Sequence, residues 1–70
     1  MKPPPDVRDR LLALASEGVT KEDAAAALGL EVRAVWRYLM WLRDAGAVHL
    51  EAAEDGPGIE WWANENQRNA

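Results

Sequence analysis

The chain has 70 residues, and its eight Lys and Arg against twelve Asp and Glu give a formal net charge of −4 at pH 7. This length suffices for one small domain that buries only a limited part of its surface. The absence of cysteine excludes disulfides and thiolate metal sites, so stability has to come from packing or association. Domains that bind nucleic acid are usually basic. Any DNA affinity here would therefore need a local positive patch or a dimer.

The two ends of the chain predict short segments outside one folded domain. Residues 1–5, which contain three consecutive prolines, are expected to form a flexible extended leader. Residues 6–63 form the predicted domain, and residues 64–70 a polar tail. No apolar run follows the first residues, so no signal peptide is indicated, and no stretch is long enough to span a membrane. We expect a soluble, cytoplasmic protein without membrane contact.

Helical periodicity predicts two helices in the first half of the chain, over about residues 6–17 and 21–28. Asp6 is the expected N-cap of the first helix. Thr20 is the expected N-cap of the second, because its hydroxyl can accept a hydrogen bond from the free amides of the first turn. Gly29 should close the second helix in a left-handed conformation.

A third, longer helix is predicted over about residues 32–45. On a helix of 100° per residue, Val35, Leu39 and Leu42 share one face, which should be buried. The side chains expected to point the other way are Arg33, Arg37, Met40 and Asp44. Gly46 follows as the end of this helix.

After Gly46 the apolar period changes from 3.6 to 2, which indicates strands. Val48 and Leu50 alternate with polar residues, and the same alternation resumes at Ile59 and Trp61 after a loop with strong turn residues. These four apolar residues should share one face of a two-stranded antiparallel hairpin. Such a hairpin is not stable alone and should lie on the helices, so the sequence predicts an α+β domain.

The stretch LGLEVRAVWRYLMWLRDAGAV combines a Leu-Gly-Leu turn with an amphipathic helix that ends at a glycine. The residues that carry this pattern are Leu28, Gly29, Leu30, Glu31, Val35, Arg37, Leu39, Leu42 and Gly46. In this order they resemble the helix-turn-helix of small winged-helix transcription regulators of bacterial or phage type, and the resemblance extends over about residues 6–63. It implies a winged helix-turn-helix fold, in which three helices are followed by a two-stranded antiparallel wing.

The chain departs from that family in three ways. Small hydroxyl residues usually stand where this chain has Glu31, Ala34 and Trp36, and the net charge is negative. The wing is acidic instead of basic, and its carboxylates are Glu51, Glu54, Asp55 and Glu60. Carboxylates near phosphate are repelled, so the wing should stay away from DNA, face a protein, or serve only as a solvated loop.

The resemblance implies a DNA-binding regulator that acts as a dimer and places its third helix in the major groove. The residues expected to face bases are Arg33, Ala34, Trp36 and Arg37. Those expected near phosphates are Thr20 and Lys21. Arg33 and Arg37 lie one helical turn apart, but the same spacing fits solvated arginines or pairs with Glu31 and Asp44.

Four tryptophans are difficult to bury in a domain this small. Trp61 belongs to the predicted core face of the hairpin, which leaves Trp36, Trp41 and Trp62. Each could pack beside the core, but an exposed aromatic patch is typical of a protein interface. We expect at least one of the three to contact a second copy or another protein. The alternative function is therefore a protein-interaction module, an adaptor or inhibitor, that binds no DNA.

An enzymatic role is not indicated. His49 is the only histidine and Ser16 the only serine, and nothing in the pattern brings them together as a nucleophile and its base. A metal site at His49 would lack other ligands, and no glycine-rich phosphate loop follows a strand. We expect no catalytic residue, no metal and no cofactor.

Overall fold

In a computed structural model, which describes residues 1–65, the chain forms three helices followed by a two-stranded antiparallel sheet. The elements are α1 Pro5–Ala15, α2 Lys21–Leu28, α3 Val32–Asp44, β1 Val48–Ala52 and β2 Ile59–Ala63. The predicted α+β class and the element order are thereby confirmed. Of the predicted polar tail, residues 66–70 lie outside the described residues. Within residues 1–65, no helix is long and apolar enough to cross a bilayer.

The first helix begins differently from the expectation. Pro4 is its N-cap, Pro5 is its first residue, and no side chain caps it, so the prediction that Asp6 is the N-cap is wrong. Proline suits the first position because it lacks an amide hydrogen that would have no partner there, and its φ is already helical. Asp6 instead lies within the first turn, where its charge is favourable in the helix dipole. Pro3, from the predicted leader, is buried.

The connection from α2 to α3 matches the prediction closely. The Thr20 hydroxyl accepts a hydrogen bond of 3.1 Å from the Asp23 amide, and Gly29 has a φ of 67°. The Leu30 amide donates to the Ala25 carbonyl at 3.0 Å. This last bond is the 6→1 hydrogen bond of a Schellman motif, which ends α2 and leads into the short turn before α3.

The hairpin has the predicted pairing and one additional partner. Leu50 lies opposite Trp61 in the register, so the apolar residues of both strands share one face, as expected. The Trp61 amide also donates to the Val19 carbonyl at 2.7 Å, and the Val19 amide donates back at 3.0 Å. This bridge attaches the sheet to the α1–α2 connection, and alternation in the sequence did not indicate it.

The core lies between the three helices and the buried residues of the hairpin, which are Val48, Trp61 and Ala63. The expected residues of α3 are all buried, with Val35 and Leu39 at 0% exposure and Leu42 at 1%. Met40 was expected to point away from them, which is wrong because it is half-buried and packs against the core. The fully buried large side chains are Leu11, Leu39, Leu42, Val35 and Val48.

Asn64 fastens the end of the hairpin to the end of α3. Its side-chain amide donates to the Gly46 carbonyl at 2.6 Å, and its backbone amide donates to the Ala47 carbonyl at 2.9 Å. The remaining Asn64 oxygen lies 2.5 Å from Nδ1 of His49. The Nε2 atom of His49 lies 2.6 Å from a carboxylate oxygen of Glu51. His49 is half-buried, and these contacts link it to Asn64 and Glu51 on the face of the sheet opposite to Val48 and Leu50.

Candidate binding surface on α3 and the hairpin

Arg33 and Arg37 of α3 are exposed, as the helical spacing predicts. Neither Arg33 nor Arg37 belongs to an ion pair among residues 1–65, so the alternative pairing with Glu31 or Asp44 does not occur there. Ala34 lies half-buried beside them. The two guanidinium groups are thus free of carboxylate partners, which leaves them available for an external anion.

A shallow concavity of about 340 Å³ lies along this side of α3. Its lining residues are Met1, Glu31, Arg33, Ala34 and Arg37. The structure therefore brings the first residue of the chain next to the two arginines, a placement that no sequence pattern indicated.

The first turn of α3 differs from that of α2. Glu31 is the N-cap residue, but its side chain makes no capping hydrogen bond, whereas Thr20 caps α2. The leading amides of α3 therefore lack a side-chain acceptor, and the positive end of the helix dipole is open to an anion. The Glu31 carboxylate opposes that attraction, since it places a negative charge at the same helix end.

An apolar groove separates α3 from the hairpin and has a volume of about 540 Å³. We call it the α3–hairpin groove. We call its large apolar lining residues the walls; they are Trp36, Met40, Leu50, Ile59 and Trp61. We call its other lining residues the rim; they are Lys21, Glu22, Arg43 and Gly58. Trp36 is 43% exposed, Leu50 36% and Ile59 57%. Large apolar side chains that cluster in this way on a surface are typical of an interaction site.

Only one of the three tryptophans predicted at an interface is exposed. Trp36 forms a wall of the α3–hairpin groove, whereas Trp41 is half-buried and packs against the core. Trp62 is half-buried over Gly18, where an added Cβ would lie 2.4 Å from two atoms of the indole. Its Nε1 donates to a carboxylate oxygen of Glu60 at 3.4 Å. Trp62 thus covers the α1–α2 turn.

The two residues predicted near phosphates lie at the start of α2. Both are half-buried. The Thr20 oxygen already accepts the hydrogen bond from the Asp23 amide, so only its hydroxyl hydrogen is left to donate to a phosphate. Lys21 lies on the rim of the α3–hairpin groove. The structure therefore places Lys21 on the same surface as Trp36.

The opposite side of the hairpin is acidic. A concavity of about 330 Å³ lies there beside Trp62. Its carboxylates are Glu17, Glu51, Glu54, Asp55 and Glu60, and no Lys or Arg lines it. In the part of the chain that the structure describes, no group of three or more potential ligands is arranged to hold a metal ion. Charge is thus separated across the hairpin: Lys21 and Arg43 lie on the side that faces α3, and this group of carboxylates lies on the opposite side.

Leu50 and Ile59 are the surface residues that sequence reasoning missed. Their alternation correctly assigned them to the apolar face of the hairpin, but that assignment implied burial. Ile59 begins β2 at the loop, whereas Leu50 lies in the middle of β1, directly opposite the buried Trp61, so no position in the pattern distinguishes it. Burial depends on what lies beneath the strand, which a period of 2 does not encode.

Comparison with protein-family models, with characterised proteins and with solved structures gave no significant match.

Proposed function

We propose that this protein is a non-enzymatic winged-helix DNA-binding regulator that places α3 in the major groove. The observation that carries the proposal is the exposure of Arg33 and Arg37, one helical turn apart and without ion pairs among residues 1–65. Arginine at such a position can bind the acceptor edge of guanine with two hydrogen bonds, or a phosphate. The order of three helices and a hairpin is compatible with this fold.

Charge separation explains how a chain with a net charge of −4 could approach DNA. The cations on or beside the proposed surface are Lys21, Arg33, Arg37 and Arg43. Four neutralised phosphates would give a log–log salt slope of about 3 to 4 per monomer, since each contributes roughly 0.9. The acidic side of the hairpin would then face away from the phosphates. Dimerisation, which would double this slope, stays a prediction.

The test is a fluorescence anisotropy titration with random and selected duplexes at two salt concentrations. We expect Arg37→Ala to weaken binding to a selected site by about 1–3 kcal/mol if the arginine contacts a base. The matched control is Arg8→Ala, which removes the same charge from α1, where Arg8 pairs with Asp9 at 3.1 Å. If the folded wild type binds no duplex at low salt, the DNA-binding proposal is wrong.

The α3–hairpin groove favours a second candidate function, a protein-interaction module. Trp36, Leu50 and Ile59 present largely apolar side chains, and the two aliphatic ones have no donor for a phosphate oxygen. In this alternative the groove meets a protein and the acidic side of the hairpin keeps nucleic acid away. The same titration separates the candidates, because the interaction module would bind no duplex in the wild type or in Arg37→Ala.

A further inference from the structure

We propose that the α3–hairpin groove binds a peptide segment of another protein that carries one or two large apolar side chains flanked by Asp or Glu. The inference deepens the second candidate function, since it names the chemistry of the protein partner. It does not require the protein to bind DNA. Its test can therefore fail while the DNA-binding proposal stands, and the reverse also holds.

The walls of the groove determine the apolar part of the partner. Trp36 and Met40 project from one side of α3, while Leu50 and Ile59 project from the facing strands, so a side chain between them would meet apolar atoms on both sides. The volume of about 540 Å³ is within the range of sites that enclose a few side chains or a small ligand. An aromatic wall next to aliphatic ones is the composition expected of an interface centre.

The rim of the groove determines the charge of the partner. Lys21 and Arg43 lie at the rim with a single carboxylate, Glu22. None of these three groups forms an ion pair among residues 1–65. Arg33 and Arg37 extend the same positive potential along α3. An acidic flank on the partner would therefore gain attraction on approach, whereas a basic flank would be repelled.

The charges argue against a second copy of this chain in the groove. A symmetric dimer brings the same surface of two molecules together, so two linings with an excess of positive charge, Lys21 and Arg43 against Glu22, would face each other and repel. The aliphatic walls argue against a phosphate backbone between them, because such a backbone needs donors or cations along its path. Ile59, at 57% exposure, offers neither.

The experiment is a selection of displayed random 12-residue peptides on the folded protein, followed by titration of the selected peptide, made synthetically. We expect the selected sequences to share Leu, Ile, Phe or Trp next to Asp or Glu. We expect Ile59→Ser to weaken the synthetic peptide about tenfold, the loss typical of a central apolar contact. Exchanging the acidic residues of the peptide for Lys should abolish binding.

Two matched control variants make the result specific to the groove. Leu30→Ser also removes an exposed aliphatic side chain, at 37% exposure against 57% for Ile59, but Leu30 does not line the groove, so the affinity should stay unchanged. The double change of Lys21 and Arg43 to Gln should weaken the peptide, whereas Arg8→Gln should not. Thermal melting of Ile59→Ser would confirm that the variant is folded.

Three results would overturn the inference. The first is a selection without enrichment, or with enrichment of basic sequences. The second is a selected peptide whose affinity is the same for wild type and Ile59→Ser. The third is sedimentation of the wild type as a dimer that Ile59→Ser converts to a monomer, which would assign the groove to a second copy.

Discussion

The apolar face of the hairpin has two halves that share one sequence pattern but differ in their surroundings. The covered half comprises Val48 at 2% exposure, Ala63 at 1% and Trp61 at 3%, and Trp61 is also bridged to Val19. The open half comprises Leu50 at 36%, which lies directly opposite Trp61, and Ile59 at 57%, at the loop end of β2. The alternation of apolar residues continues unchanged from one half to the other. The first half completes the core, and the second half forms a wall of the α3–hairpin groove.

This difference shows that alternation assigns a residue to a face but does not assign it to the core. A strand is buried only where another element lies against it. The side chains beyond that cover contribute less to folding, since a large part of their surface, 36% for Leu50 and 57% for Ile59, stays in water in the native state. Their apolar character is then better explained by binding than by stability.

Substitution of Trp61 gives the largest expected contrast between the two halves. Trp61→Ala removes a buried indole from the core and should lower the free energy of unfolding by about 3–5 kcal/mol. Ile59→Ala, in the open half, should change it by about 0.5 kcal/mol or less. Denaturant unfolding of both variants measures the difference. Equal losses would show that the two halves pack alike.

A second contrast concerns Trp62, on the other face of the hairpin. Gly18→Ala places a Cβ on a residue with a φ of 80° and presses it against the indole of Trp62. We expect the free energy of unfolding to fall by about 2–4 kcal/mol. Gly29→Ala has a similar φ of 67° but open space around it, so only the conformational cost of about 1–2 kcal/mol should remain. In a Trp62→Ala background, which removes the indole, the two glycine substitutions should lower the free energy of unfolding by the same amount.

The helix caps provide a smaller contrast between α2 and α3. Thr20→Ala should lower the free energy of unfolding by about 1 kcal/mol, because the Asp23 amide loses its acceptor. Glu31→Ser should raise it by about 0.5 kcal/mol, since a hydroxyl can cap the first turn of α3 where the Glu31 side chain does not. Thermal melts of the two variants should therefore move in opposite directions.

Much of the fold could be predicted from the sequence because its signals are local. Periodicity assigned Val35, Leu39 and Leu42 to the core, and cap chemistry placed Thr20 and Gly29 correctly. The predicted start of α1 was wrong. The helix begins at Pro5, whose fixed φ and missing amide hydrogen suit the first helical position, and Asp6 does not cap it. Long-range contacts could not be foreseen from such signals.

The candidate site was only partly predictable for the same reason. Helical spacing predicted that Arg33 and Arg37 would be exposed, and composition predicted that not every tryptophan would be buried. Which tryptophan stays exposed depends on tertiary contacts, such as the approach of Trp62 to Gly18. The burial of Met40 against the core likewise depends on packing that its position on a helical wheel does not encode.

The four indole N–H signals in a ¹⁵N-resolved NMR spectrum test the central claim most directly, because they report separately on Trp36, Trp41, Trp61 and Trp62. The claim is that ligands bind the side of the hairpin that faces α3. Titration with a duplex or with the selected acidic peptide should move the Trp36 signal first and furthest, and leave the Trp62 signal in place. Movement of Trp62 with an unchanged Trp36 would place binding on the acidic side and contradict the account.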